Sequence, residues 1–182
     1  MNITVLYNTS ESDEPSEQDT IKSAKDVAEA LGATLVAIRK QDAGDRSFFE
    51  KLNTDLVFNL IEWTGFDAKY AIRVVDILEE LNIPYTGSRK LGHILGNDKI
   101  LMKQKMVDLG IPTPKYQIYD KEFIANNLQF PVIAKLAQEH CSIGLDESNI
   151  VFNGEDLREK IITLRSIYDM RYSISFTYFA LR

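Results

Sequence analysis

Strand-like and helix-like patterns alternate through residues 1–88, and that order leaves few folds open. Ile3, Val5 and Tyr7 alternate with Asn2, Thr4 and Leu6, a strand that stops at Asn8-Thr9-Ser10. Ile21, Ala24, Ala28 and Leu31 then recur at helical spacing, and Gly32 closes that helix. Thr34 to Ile38 reads as a second strand and Phe48 to Leu52 as a short helical turn. Asp55 to Ile61 is a compact apolar run of the kind buried on both faces of a sheet. Tyr70, Val74, Ile77, Leu78 and Leu81 mark one face of a helix, and Ile83-Pro84-Tyr85 a short strand closing on the turn Thr86-Gly87-Ser88. The order predicts a parallel sheet with right-handed crossovers, a small doubly wound α/β domain. Ligands of such sheets sit beyond the carboxyl ends of the strands, so the loops leaving from Asn8 and Glu62 face the expected site. No Gly-x-Gly-x-x-Gly follows the first strand, which argues against a dinucleotide fingerprint there.

The texture changes further along. Asn97 and Asp98 are cap-type residues before a helix over Lys99 to Leu109, whose Met102, Met106 and Leu109 share a face. Gly110-Ile111-Pro112-Thr113-Pro114 ends it and marks a joint between domains. Beyond lie a strand at Lys115 to Tyr119, a short helix at Glu122 to Asn127 and a strand at Phe130 to Ala137. A polar loop follows at Gln138 to Leu145, then a strand at Asn149 to Phe152 and a helical stripe of Leu157, Ile161 and Leu164. These elements predict a small α+β unit.

Composition narrows the partners. The 182 residues carry 21 Lys+Arg against 27 Asp+Glu, a formal charge of −6. Five of those acids, Glu11, Asp13, Glu14, Glu17 and Asp19, fall in one stretch without a base, which reads as a solvated loop. No basic face suited to nucleic acid is visible. One cysteine and two histidines exclude a disulfide framework and a Cys/His zinc cluster. No apolar run approaches the roughly 18–20 residues that span a bilayer, and the N-terminus lacks a signal-peptide pattern, so a cytoplasmic protein without membrane contact is expected.

Lys135 carries the most chemical information. It sits in Pro131-Val132-Ile133-Ala134-Lys135-Leu136-Ala137, an otherwise apolar strand, sharing a face with Ile133 and Ala137. Its ammonium must either snorkel to solvent or meet an anion. The loop after it, Gln138-Glu139-His140-Cys141-Ser142-Ile143-Gly144, offers backbone N–H groups, a hydroxyl and a flexible glycine, and reads either as an ordinary hairpin loop or as a phosphate cover. Lys99 adds a cation in the first turn of its helix, beside N–H groups that favour anions, or is a solvated surface lysine. Cys141 and His140 are adjacent, point to opposite sides of an extended chain and have no identifiable orienting acid, which argues against a catalytic thiol.

Six pieces in order carry a family resemblance. Val57-Phe58-Asn59-Leu60, Ile83-Pro84-Tyr85-Thr86-Gly87-Ser88, Asn97-Asp98-Lys99, Gly110-Ile111-Pro112-Thr113-Pro114, Pro131-Val132-Ile133-Ala134-Lys135 and Ser142-Ile143-Gly144 resemble the D-alanine–D-alanine ligases of the ATP-grasp superfamily. The resemblance implies a substrate-binding domain over 1–96 and the first (α+β) half of an ATP-grasp module over 97–169. It also implies ATP and Mg²⁺ as cofactors, an amino acid or small carboxylate as substrate, and an amide formed through an acyl phosphate. Matched by motif, Lys99 and Lys135 hold ATP phosphates. Glu139, Ser142 and Gly144 belong to the loop that closes over them. Glu11, Glu62 and Cys141 are candidate substrate contacts, and dimers through the first domain are common in the family.

The sequence departs from the family pattern in three places. Tyr7-Asn8 stands where the family has a glycine pair. The loop reads Glu139-His140-Cys141-Ser142 instead of Glu-Gly-Ser-Ser, placing bulk where flexibility is usual and a thiol where a hydroxyl is usual. Residues 170–182 contain no carboxylate, although the family has glutamates for the nucleoside and then magnesium-binding acids. The expectation is a truncated ligase, inactive alone, with its magnesium ligands on a missing half. Tyr172, Ile174, Phe176 and Tyr178 read there as an uncovered strand. The rival expectations are a non-catalytic anion-binding module needing a second chain, and an ATP-grasp ligase for another acid.

Overall fold

The structure, a computed structural model, describes residues 1–9, 15–63, 67–119, 129–139, 144–168 and 174–177, with 15–17 and 174–177 described by backbone alone. The chain forms two compact units, residues 1–94 and 95–182. The segment Gly110–Pro114 lies inside the second unit.

In the first unit the described strands are β1 (Ile3–Asn8), β2 (Thr34–Ile38) and β3 (Leu56–Leu60), in the order β2-β1-β3 and all parallel. Successive side chains of a strand point to opposite faces, and both faces of β1 are covered. Leu6 joins Ile38, Phe49, Val57, Val74, Ile77 and Leu78 in one core, while Val5 packs with Ala24 and Ala28 on the other side. The helices behind these layers are α1 (Pro15–Leu31), α2 (Arg46–Glu50) and α3 (Ala68–Glu80). This is the expected α/β arrangement, with two corrections. Helix α1 begins at Pro15, so Glu17 and Asp19 are helical and not part of a loop; proline suits the first helical position, and acids suit a first turn. Ile83-Pro84-Tyr85 makes a single parallel bridge, Tyr85 to Val57, in place of a strand. Pro84 has no N–H to donate, and the pairing consists of Val57 N–H to Pro84 O (2.8 Å) and Thr86 N–H to Val57 O (3.0 Å). Strand β3 is also less buried than a two-sided core strand: of its residues only Val57 is fully enclosed.

Helix α4 (Lys90–Asn97), absent from the sequence reading, spans the division between the units. The second unit contains α5 (Lys99–Asp108), β4 (Tyr116–Tyr119), β5 (Val132–Leu136), β6 (Ile150–Val151), α6 (Gly154–Ile167) and β7 (Ile174–Thr177). Its described strands form a sheet in the order β4-β7-β5-β6, every pairing antiparallel. The stripe Leu157, Ile161 and Leu164 of α6 closes a core with Tyr119, Val132, Ala134, Leu136 and Val151. Strand β7 is not an uncovered edge: it lies between β4 and β5, with Ser175 opposite Lys135. The face expected to be apolar on α5 is also corrected. Met102 and Leu109 are exposed, and the enclosed residue of that helix is Lys103. The short helix expected at Glu122 to Asn127 falls outside the described residues.

Candidate functional site

The carboxyl ends of the parallel strands are stitched together in the first unit. Thr9 N–H donates to Ile38 O (3.0 Å), joining β1 to β2, and Glu62 N–H donates to the Asn8 side-chain oxygen (2.7 Å), joining β1 to the end of β3. Lys40 pairs with Asp67 at 2.5 Å. Trp63 is buried with its ring edge-on to Tyr70, so the chain after β3 dives into the core immediately beyond Glu62. Glu62 itself is exposed. Glu11 lies outside the described residues.

In the second unit the charged residues collect where α5 meets the end of β5. Asp98 is the N-cap of α5: one of its carboxylate oxygens accepts from Ile100 N–H (2.9 Å) and Leu101 N–H (3.0 Å), and the other accepts from the Gln138 amide (3.1 Å). Lys99 N–H donates to Ala137 O (2.9 Å), and the Lys99 ammonium donates to the Glu139 carbonyl. Three contacts thus fasten the start of one helix to the exit of one strand. They also correct an expectation. The first N–H groups of α5 are occupied by Ala137 and Asp98, so an anion here would meet ammonium groups and not a bare helix terminus.

The alternation of β5 does what the sequence implies. Val132, Ala134 and Leu136 are buried, while Ile133 and Lys135 are half-buried on the other face. The Lys99 pKa lies below its ordinary value, first because it is buried and next because the charge of Lys135 opposes it, with Glu139 and Asp98 pulling the other way. Two ammonium groups close enough to repel are a state that a polyphosphate relieves. One oxygen of Glu139, Oε2, is buried with no hydrogen-bond partner among the described residues. It is an acceptor, so it suits a donor group and not a phosphate oxygen. The residues present therefore fit a nucleotide polyphosphate. Among the described residues no three His, Cys, Asp or Glu gather as a metal site.

Beyond the loop the chain is pinned by Asn149, which the sequence reading placed only at a strand start. Fully buried, its side chain donates to Ala134 O (2.8 Å) and Gly144 O (2.9 Å) and accepts from Asp146 N–H (2.9 Å). The spacing Asp146-x-x-Asn149, a reciprocal capping box on a 3₁₀ turn, was the available clue. Gly144 has φ +67°, and a Cβ there would stand 3.0 Å from the Tyr168 ring, so two constraints select glycine. Of the predicted loop residues, Glu139 and Gly144 are placed at its two ends, while Cys141 and Ser142 lie outside the described residues.

The D-alanine–D-alanine ligase of Acinetobacter baumannii is 33% identical over 132 residues, which are 70% of this chain and 42% of that protein. The D-alanine–D-alanine ligase of Alcanivorax borkumensis is 40% identical over 107 residues, 54% of this chain and 33% of that protein. The chain is D-alanine–D-alanine ligase-like. It spans less than half the length of these relatives. The crystal structure of the Bacillus anthracis D-alanine–D-alanine ligase has the same fold at TM-score 0.72 and 22% identity, over 98% of this chain and 57% of that one. The same enzyme in complex with ATP gives TM-score 0.70 at 21% identity, over 98% and 58% of the two chains. No family model matches the chain. The α/β architecture of the two units is thus the one seen in part of that ligase structure, and no described helix is long and apolar enough to cross a membrane.

Proposed function

We propose that the chain is part of an ATP-dependent carboxylate–amine ligase of D-alanine–D-alanine ligase type. Residues 97–169 hold the nucleotide as the first ATP-grasp subdomain, and residues 1–96 hold an amino acid or other small carboxylate. The observation that carries this reading is the tie of Lys99 to Ala137 and Glu139, at the exit of the strand that carries Lys135. In the proposed reaction the substrate carboxylate attacks the terminal phosphorus of ATP, giving an acyl phosphate and ADP. An amine then attacks the acyl carbon, forming the amide and releasing inorganic phosphate. Lys99 and Lys135 neutralise phosphate charge as it builds on the leaving ADP.

The Ser142 loop is proposed to close over the phosphates and exclude water, with Gly144 as its fixed end. Glu11, Glu62 and Cys141 are proposed contacts to the substrate. A cytoplasmic location and pairing of two copies through the first unit complete the proposal.

Calorimetric titration of ATP into the 182-residue chain tests it. Wild type binds, and Lys135→Ala weakens binding by about 30-fold, the loss of one charge-assisted contact worth roughly 2 kcal/mol. No ATP binding by wild type would overturn the reading. ATP binding that Lys135→Ala leaves unchanged would favour the rival reading, a non-catalytic module or a subunit completed by a second chain.

A further inference from the structure

Lys103 is the one charged side chain among the fully buried polar residues described, at 6% exposure. It sits on α5 one turn after Lys99, and residues four apart share a helix face. Its ammonium donates to the Thr113 hydroxyl (2.8 Å) and the Pro114 carbonyl (3.3 Å) and lies 5.3 Å from the centre of the Tyr116 ring. All three partners are neutral. They satisfy its donors without cancelling its charge, which is the expensive way to bury a cation.

A structural role alone does not explain that choice. Tying the exit at Thr113 and Pro114 back to the helix needs a donor, and a neutral amide would supply one without burying a charge. The charge also does not act in isolation. Burial pushes the Lys103 pKa down, and the charge of Lys135 pushes it further in the same direction, as it does for Lys99. Lys99 and Lys103 therefore each feel the charge of Lys135. The acids that oppose them at Lys99 are Glu139 and Asp98, and Asp98 is already committed to two backbone N–H groups and to Gln138.

We propose that Lys103 is a third cation of the anion site, a positioning residue that raises affinity in proportion to ligand charge from one helical turn beyond Lys99, without touching the ligand. Because Lys103 is buried, its field is screened less than that of a surface lysine. The proposal rests on the phosphate-binding reading above.

The test measures affinities for AMP, ADP and ATP without metal, for wild type, Lys103→Gln, Lys103→Arg and Lys105→Gln. Glutamine keeps a donor and removes the charge; Lys105 is an exposed lysine on the same helix. Lys103→Gln is expected to lose little affinity for AMP and about tenfold for ATP, as a charge interaction of about 1.4 kcal/mol predicts. Its thermal stability stays level or rises. Lys103→Arg keeps the wild-type dependence on ligand charge, and Lys105→Gln stays near wild type for all three ligands.

An equal loss for all three nucleotides, no loss, or an equal effect in Lys105→Gln overturns the role of Lys103 while leaving the nucleotide site standing. Should Lys103→Gln fail to fold, a flattened charge dependence in Lys103→Arg overturns it instead. Wild type that binds none of the three overturns the nucleotide reading itself.

Discussion

Two asparagines, one in each unit, hold the chain where a strand gives way to a loop, and they do so at different depths. Asn8 is half-buried and accepts one hydrogen bond, from the N–H of exposed Glu62. Asn149 is fully buried and makes three, to groups of β5, of the loop's end and of the 3₁₀ turn. In the first unit parallel strands already bring the loops of β1 and β3 to one end of the sheet, so a side chain has only to trim their spacing. In the second unit no strand ladder among the described residues positions Gly144 against β5, and a side chain does it. The difference teaches where each site is fragile. The first is held mainly by backbone pairing, the second by a few polar side chains.

The largest effect is therefore expected at Asn149. Asn149→Ala strands the buried carbonyl of Ala134, the half-buried carbonyl of Gly144 and the N–H of Asp146, and destabilises the protein by about 3 kcal/mol. Denaturant unfolding checks this. A loss near that of an ordinary surface substitution would mean that water or a shifted loop replaces those bonds, and the contrast with Asn8 would disappear.

The legible parts of the sequence were those where one element's pattern is enough. The alternation of β1, the stripe of α3 and the triplet Leu157, Ile161 and Leu164 each record a burial face within a few residues. The rest depends on partners far along the chain. Helix α4 carries Leu91, Ile94 and Leu95 at helical spacing, but the stripe is only one turn long and none of its residues is fully buried. Strand β7 alternates as expected, but its place between β4 and β5 is set by pairing with residues about 40 to 60 positions earlier, which no local pattern encodes. On α5 the methionines and Leu109 suggested a conventional apolar face, whereas Lys103 is the residue enclosed. Lys135 was visible because a charge interrupts an apolar strand. Lys103 was hidden because lysine is common on helices, and only the folded chain shows that Thr113, Pro114 and Tyr116 surround it.

A smaller effect sharpens the same contrast. Asp98→Ala removes the cap of α5 and the tie to Gln138, for a loss of about 1 kcal/mol, and it loosens the placement of Lys99. Asn8→Ala frees an N–H that water can satisfy and is expected to cost about 0.5 kcal/mol. Thermal unfolding with parallel ATP titrations separates them: Asp98→Ala weakens nucleotide binding, and Asn8→Ala leaves it unchanged. If Asn8→Ala weakened ATP binding as much, the assignment of nucleotide affinity to the second unit would fail.

The smallest effect concerns pH, and its two parts have opposite signs. Burial and the charge of Lys135 hold the Lys99 pKa below its ordinary value of 10.5. Between the lowered pKa and 10.5 the folded chain binds fewer protons at this residue than the unfolded chain does, so its contribution to stability rises with pH across that window. Phosphate affinity moves the other way, because the ammonium that holds the anion is lost as pH rises through the folded pKa. Unfolding and ATP titrations at stepped alkaline pH, taken as wild type minus Lys99→Met, isolate both slopes from other titrating groups. Asn8 carries no titratable group, and Asn8→Ala is expected to keep the wild-type slopes. A wild-type ATP affinity that stays flat across the window, or a stability difference that falls as pH rises, would show that Lys99 is not the half-buried, repelled cation on which the nucleotide site depends.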